Sequence, residues 1–244
     1  MKLIFIRHGD PDYENDTLTE TGRREAELLV PRVEKLGAKE FYVSPLGRAQ
    51  ATAAPSLKKL GKEAVTLDWL REFDTKVVRP DKEKEHPGMA WDWLPADWMD
   101  NKDFYDRDRW LDHPVFTEKN LREKYDHVVK SFDAFLAEHG YERNGQYFNV
   151  THPNNDTIVF FTHFGCETLL LSYLMNISPM ILWHGLCALP SSVTTVVTEE
   201  RREGIAHFRC LGYGDVSHLY AGGAEPSFSA RFCECYSNKN ERHD

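Results

Sequence analysis

The sequence predicts a three-layer α/β/α sandwich, in which helices cover both faces of a mostly parallel central sheet. Three observations predict this fold. Short apolar runs typical of strands alternate along the chain with stretches of helical periodicity. The runs at 2–6 and 157–162 are almost wholly apolar, which indicates buried strands. No linker and no internal repeat interrupts the alternation, so residues 1–244 are expected to form a single domain.

The helices are predicted from capping residues and from apolar spacing. Thr19 suits the N-cap of a helix that runs to about residue 36, and Gly37 suits its end. Pro45 fits the first turn of a second helix, which Gly61 ends. Two further helices are predicted, at about 120–139 and 167–175. Strands are predicted at 2–6, 40–43, 64–67, 157–162, 193–198 and 206–211.

Residues 73–118 break the alternation. The segment holds Trp91, Trp93, Trp98 and Trp110 among many Asp and Lys residues, and it shows no long period. Long irregular segments of this kind are often functional, so we expect a structured insertion or a lid. Its aromatic residues have two open interpretations, a local core or a cage around a substrate.

Composition limits the classes of function. Apolar residues make up 41% of the chain, enough for a sizeable core, and the net charge is −9. An acidic protein is a poor candidate for binding nucleic acid or an anionic membrane surface. No apolar run approaches the length of a membrane span and no signal peptide is evident, so we expect a cytoplasmic protein. The five cysteines are odd in number and are expected to be reduced thiols.

Cationic and imidazole side chains follow three of the predicted strands. Arg7 and His8 end the first strand, Arg48 lies in the first turn after Ser44-Pro45, and His163 ends the strand at 157–162. If these strands are parallel neighbours, the four side chains meet at one edge of the sheet, where open α/β sheets bind ligands. Guanidinium groups and helix N-termini both favour an oxyanion. The sequence therefore predicts a pocket for a tetrahedral oxyanion.

Five segments in order resemble the histidine phosphatase superfamily, also called phosphoglycerate-mutase-like, over most of the chain outside 73–118. They are Arg7-His8-Gly9, the helix start Leu18-Thr19-Glu20-x-Gly22, Ser44-Pro45-x-x-Arg48-Ala49-x-x-Thr52-Ala53, Leu70-x-Glu72, and Thr162-His163-x-Gly165. One such segment is a weak signal, whereas five in order are specific.

The resemblance implies a role for each matching residue. His8 would be the nucleophile and become phosphohistidine, while Arg7, Arg48 and His163 would hold the phosphoryl oxygens. Glu72 would protonate the leaving oxygen and then activate water. No metal and no other cofactor is implied, because these cations would do the work of Mg²⁺.

The chain departs from the family pattern at two places. Many members carry an Asn within six residues of the histidine, and here Asn15, displaced by one, is the candidate for that phosphate contact. The glycine-containing segment that usually follows the acid is replaced by Phe73-Asp74-Thr75-Lys76. The usual substrate therefore cannot be carried over from the resemblance.

Three functions remain as alternatives. The first is a phosphoric monoester hydrolase of histidine acid phosphatase type, acting without metal on a small phosphorylated metabolite. The second is a phosphoglycerate mutase, although the basic segments with which mutases hold a bisphosphoglycerate are missing. The third is a non-catalytic module that binds a phosphorylated ligand. A homodimer is compatible with the sequence, which does not specify the oligomeric state.

Overall fold

A mixed eight-stranded sheet forms the centre of the computed structural model, which describes residues 1–117 and 120–243. Two short two-stranded sheets lie outside it. The strands of these described residues are β1 (Lys2–Arg7), β2 (Pro11–Asp12), β3 (Thr17–Leu18), β4 (Glu40–Val43), β5 (Val65–Thr66), β6 (Lys76–Val77), β7 (Gly88–Met89), β8 (Tyr141–Asn144), β9 (Tyr147–Val150), β10 (Thr157–Thr162), β11 (Val193–Arg202) and β12 (Ile205–Asp215).

The central sheet is parallel in one half and antiparallel in the other. Its strand order is β5-β4-β10-β1-β11-β12-β9-β8. Strands β5, β4, β10 and β1 run parallel to one another. From β1 to β8 every pairing is antiparallel. The carboxyl ends of β4, β10 and β1 therefore meet at one edge, as the prediction of a shared site requires.

The α-helices of the described residues lie on both faces of this sheet. They are α1 (Glu20–Lys35), α2 (Gly47–Leu60), α3 (Pro95–Trp98), α4 (Pro114–Thr117), α5 (Leu121–Glu138), α6 (Phe164–Met175), α7 (Pro179–Gly185) and α8 (Ser217–Ala221). In the part of the chain that the structure describes, none of these helices could cross a membrane.

Alternation along the buried strands separates two hydrophobic cores. Ile4 and Ile6 face the side covered by α1 and α2. Leu3 and Phe5 face the other side, where α5 and α6 pack. The prediction of a three-layer α/β fold is confirmed.

The insertion belongs mainly to the larger core. Trp93, Trp98, Phe104, Trp110 and Phe116 are all buried there. These five aromatic residues thus form a local core, the first of the two interpretations given above. The predicted end of the insertion at residue 118 lies outside the described residues, and its role as a lid stays a prediction.

Some elements differ from the sequence prediction. The hairpin of β8 and β9 was not predicted, because its strands are short and mix polar with apolar residues. Strands β11 and β12 pair as far as Arg202 and Ile205, so the turn is shorter than the predicted charged loop at 199–204. Helix α6 begins at Phe164, three residues before the predicted start.

Candidate active site

The carboxyl ends of β1 and β10 bring two histidines side by side. Arg7 pairs with Thr162 in the parallel register, and the backbone N–H of His8 donates to the Thr162 carbonyl at 3.0 Å. The next residue on β10, His163, therefore lies beside His8. Their ring centroids are 5.1 Å apart. Both rings are almost completely buried.

The hydrogen bond of His8 fixes which ring nitrogen is free to react. Nδ1 lies 2.8 Å from the Gly9 carbonyl oxygen. A carbonyl only accepts, so Nδ1 carries the proton and Nε2 keeps its lone pair. Burial, Arg7 and Arg48 lower the pKa of His8 well below its ordinary value. The imidazole is therefore neutral at neutral pH, the form that a nucleophile requires.

Gly9 is needed for space at this point. A Cβ on Gly9 would lie 2.8 Å from the Gly22 carbonyl oxygen in α1. The backbone N–H of Gly9 donates to Thr52 Oγ1 at 2.9 Å, and the Thr52 hydroxyl donates to the Arg48 carbonyl at 2.8 Å. Both flanking helices are thus fixed against the residue that follows His8.

Two guanidinium groups accompany the histidines. Arg7 is 6% exposed, its Nη1 donates to the Ala188 carbonyl, and its buried Nε has no partner. Arg48 donates from Nη1 to Asp16 at 2.6 Å, and its Nε is also buried without a partner. Unpartnered buried donors next to a neutral imidazole suit an anionic ligand with several oxygens.

His163 offers a further group to the same point. Its Nε2 lies 2.7 Å from Ser44 Oγ, at the end of β4, whereas Nδ1 is buried without a partner. Burial and the neighbouring His8, Arg48 and Arg7 lower the pKa of His163 well below its ordinary value. With Ser44 donating to Nε2, the neutral ring carries a proton on Nδ1 that can be donated to an oxyanion.

Glu72 lies against the start of α6. Its Oε1 accepts from the backbone N–H of Phe73 at 2.8 Å and of Cys166 at 3.1 Å. Burial raises the pKa of the carboxyl, although Arg7 and Arg48 oppose the shift. A Cβ on Gly165 would lie 2.6 Å from Oε1 and 2.8 Å from Nε1 of Trp91, so a glycine is needed here. A carboxyl with a raised pKa suits a proton donor.

Asn15 is not joined to this cluster by any contact that the structure shows. It lies in an exposed turn, where its Nδ2 donates to Asp12 at 2.9 Å. The neighbouring Asp16 contacts Arg48 instead. The predicted phosphate-binding role of Asn15 stays a prediction.

Sequence reasoning missed three groups of the site. Asp16 and Ser44 orient Arg48 and His163, and the Ala188 carbonyl anchors Arg7. Ser44 enters the sequence prediction only as the start of a matching segment, without a role of its own. Asp16 is a common polar residue at a loop position and the Ala188 group is a backbone atom, so nothing in the sequence marks these two. Within residues 1–117 and 120–243, no three His, Cys, Asp or Glu side chains gather as a metal-binding group.

The fold and the site define the class of this protein, an enzyme of phosphate-ester hydrolysis or phosphoryl transfer. The model of the histidine phosphatase superfamily (branch 1) matches residues 3–210, and the chain belongs to that superfamily. The predicted family is thereby confirmed.

A curated relative in sequence is the 2,3-bisphosphoglycerate-dependent phosphoglycerate mutase of Thermoplasma acidophilum. It is 34% identical over 96 residues, which are 35% of this chain and 48% of the relative. The chain thus spans about half the length of the curated relative that it matches.

Solved structures with the same fold include two phosphatases. A phosphoserine phosphatase from Entamoeba histolytica, in complex with phosphoserine, has a TM-score of 0.57 at 18% identity, over 89% of this chain and 98% of that one. A mycobacterial glucosyl-3-phosphoglycerate phosphatase has a TM-score of 0.53 at 17% identity, over 87% and 98%. At identities this low, the structural similarity shows that the chains share a fold and nothing more.

Proposed function

We propose that this protein is a metal-independent phosphomonoesterase that hydrolyses a small phosphorylated metabolite through a phosphohistidine on His8. One observation carries the proposal. The Nδ1–Gly9 hydrogen bond leaves Nε2 of a neutral His8 unprotonated, beside buried donors of Arg7, Arg48 and His163 that have no partner. A candidate nucleophile and donors for an oxyanion therefore lie next to one another.

In the first step, Nε2 of His8 attacks phosphorus and the bond from phosphorus to the ester oxygen breaks. Arg7, Arg48 and the Nδ1–H of His163 stabilise the charge on the phosphoryl oxygens. Glu72, whose raised pKa favours the protonated form, gives its proton to the departing oxygen. The alcohol then leaves.

In the second step, the Glu72 carboxylate accepts a proton from water as the water oxygen attacks phosphorus. The bond between phosphorus and Nε2 breaks, inorganic phosphate is released, and the neutral imidazole and the protonated carboxyl are restored. The same group thus serves as acid and then as base.

Two other functions are tested together with this one. A mutase would return the phosphoryl group to the substrate alcohol instead of giving it to water, and the sequence match to a phosphoglycerate mutase favours this alternative. A binding module would need neither His8 as nucleophile nor Glu72 as acid. A cytoplasmic location, a homodimer, and the absence of nucleic-acid or membrane binding remain predictions.

The experiment compares wild type, His8→Ala and the exposed-histidine control His152→Ala on p-nitrophenyl phosphate and 3-phosphoglycerate. Free phosphate from wild type and the control, with none from His8→Ala, supports the phosphatase. Isomerisation of 3-phosphoglycerate without release of phosphate would instead establish the mutase. Binding of phosphate without turnover of any ester in a screen of phosphorylated metabolites would establish the binding module.

A further inference from the structure

Ser191, a serine with a strained backbone, lies in a turn that contacts Arg7 and His8. The Ser192 N–H donates to the Leu189 carbonyl at 3.0 Å, which closes a four-residue turn with Pro190 second and Ser191 third. Ser191 has φ of +58°. This is the pattern of a type II turn, whose third position strongly favours glycine because φ is positive. A serine that is kept there at a cost in free energy points to a use for its side chain.

The side chain of Ser191 has one specific partner. Its Oγ lies 3.1 Å from Nε2 of His218, which is on α8, and both residues are buried. Burial, together with Arg32, lowers the pKa of His218 to about 4, whereas Asp215 opposes the shift. The ring is therefore neutral at neutral pH and keeps this hydrogen bond.

The backbone of the same turn holds the site. The Ser191 N–H donates to the His8 carbonyl at 3.0 Å, and the Ser192 carbonyl accepts from the Arg7 N–H at 3.1 Å. The Ala188 carbonyl, just before the turn, accepts from the Arg7 guanidinium. The position of one turn thus sets the position of both His8 and Arg7.

We propose that Ser191 and His218 form a positioning pair, in which their hydrogen bond locks the turn that aims His8 and Arg7 at the phosphoryl group. This inference rests on the proposed function. No contact that the structure shows joins Ser191 or His218 to a side chain of the phosphate site, so the pair acts through the backbone of the turn. Small displacements of a nucleophile reduce the rate of a reaction strongly, so the pair affects catalysis more than folding.

The test separates the hydrogen bond from the backbone strain. Ser191→Gly suits the positive φ but lacks the hydroxyl, so we expect an unchanged or higher melting temperature, a kcat about 10-fold lower and a KM within about 3-fold of wild type. Ser56→Ala is the matched control, since Ser56 Oγ is also buried but has no hydrogen-bond partner. Its kcat should equal that of wild type.

Variants of His218 give a second test of the Ser191–His218 hydrogen bond. His218→Leu should lower kcat as Ser191→Gly does, whereas His218→Gln, whose amide reaches the place of Nε2, should restore most of it. The double variant, Ser191→Gly with His218→Leu, should lose no more than the worse single variant, because the two residues act as a pair.

Three results would overturn the inference. They are a folded Ser191→Gly with the kcat of wild type, a His218→Gln as slow as His218→Leu, or losses in the double variant that multiply. His8→Ala is measured alongside. If His8→Ala is inactive while Ser191→Gly is fully active, only this inference fails; if His8→Ala is active, the proposed function fails.

Discussion

The carboxylate of Asp16 holds both the guanidinium of Arg48 and the start of the helix that carries it. One oxygen accepts from Arg48 Nη1 at 2.6 Å and the other from the backbone N–H of Gly47 at 2.7 Å. The aromatic ring of Tyr13 lies 5.4 Å from the same guanidinium carbon. Arg48 is thus oriented before any substrate binds, and its Nε stays available to a phosphoryl oxygen.

Removal of Arg48 should therefore lower the activity far more than removal of the Asp16 charge that orients it. We expect Arg48→Ala to lower kcat/KM for an aryl phosphate by about 100-fold, the usual loss for one oxyanion donor. Asp16→Asn keeps an oxygen for the helix start and should lose about 10-fold at most. Steady-state kinetics on both variants measure this. An Arg48→Ala enzyme within about 3-fold of wild type would remove Arg48 from the phosphate site.

Glu72 should matter most when the leaving group is poor. An alkoxide needs a proton from the acid more than a phenolate does, so Glu72→Gln should lower kcat/KM for alkyl phosphates by at least about 100-fold and for aryl phosphates by much less. Because kcat/KM reports the steps through phosphorylation of the enzyme, it isolates this role. Asp74→Asn changes an exposed acid nearby and is the control. Equal losses for both ester classes would contradict the role of Glu72 as the acid.

Glu167 should make the stability of the protein depend on pH. It is fully buried, and burial raises its pKa to about 8, although Thr194 and Arg7 oppose the shift. The folded state keeps this proton to a higher pH than the unfolded chain, whose ordinary value is 4.5. The free energy of unfolding therefore falls as pH rises between these values, by up to about 1.4 kcal/mol per pH unit from this residue.

Glu167→Gln removes this ionisation while it keeps the shape of the side chain. The melting temperature of the variant minus that of wild type should grow from about pH 5 to about pH 8 and then level off. Glu27→Gln, at an exposed position of α1, should show a constant difference. A constant difference for Glu167→Gln as well would mean that the Glu167 carboxyl has an ordinary pKa.

Catalysis should continue in excess chelator. Two guanidinium groups already supply positive charge for a phosphoryl transition state, and the Nδ1–H of His163 adds a neutral hydrogen-bond donor. Activity measured with and without EDTA should agree. Loss of activity that added Mg²⁺ restores would favour an aspartate nucleophile in the segment Asp10-x-Asp12, which lies just beyond His8 in the sequence.

The sequence predicts the part of the fold that local patterns specify. The apolar runs of β1 and β10 identify two buried strands, and the residues that end them, His8 and His163, lie together as expected. Thr19 caps α1 as predicted, accepting from the Gly22 N–H at 3.1 Å. The strands and the cap depend on neighbours in the sequence, which is why they could be predicted. The meeting of His8 and His163 was predicted because both residues follow strands that were expected to be parallel neighbours.

The remainder depends on contacts between distant segments. Ser227 and Ser229, near the end of the chain, both donate to Asp10, which lies two residues after His8. The turn at Pro190–Ser191 reaches His8 through the backbone. Neither contact has a periodicity, a spacing or a residue type that would distinguish it from an ordinary polar loop, so only the folded chain shows them.

The most direct measurement of the central claim is the covalent intermediate itself. Glu72→Gln should slow hydrolysis of the phosphoenzyme, so a labelled aryl phosphate mixed with this variant and quenched under denaturing alkaline conditions should leave an acid-labile phosphate. Peptide mass spectrometry should place that phosphate on His8, and His8→Ala should show none. Phosphate on Asp10 or Asp12, or a Glu72→Gln enzyme that turns over without any phosphohistidine, would contradict the account.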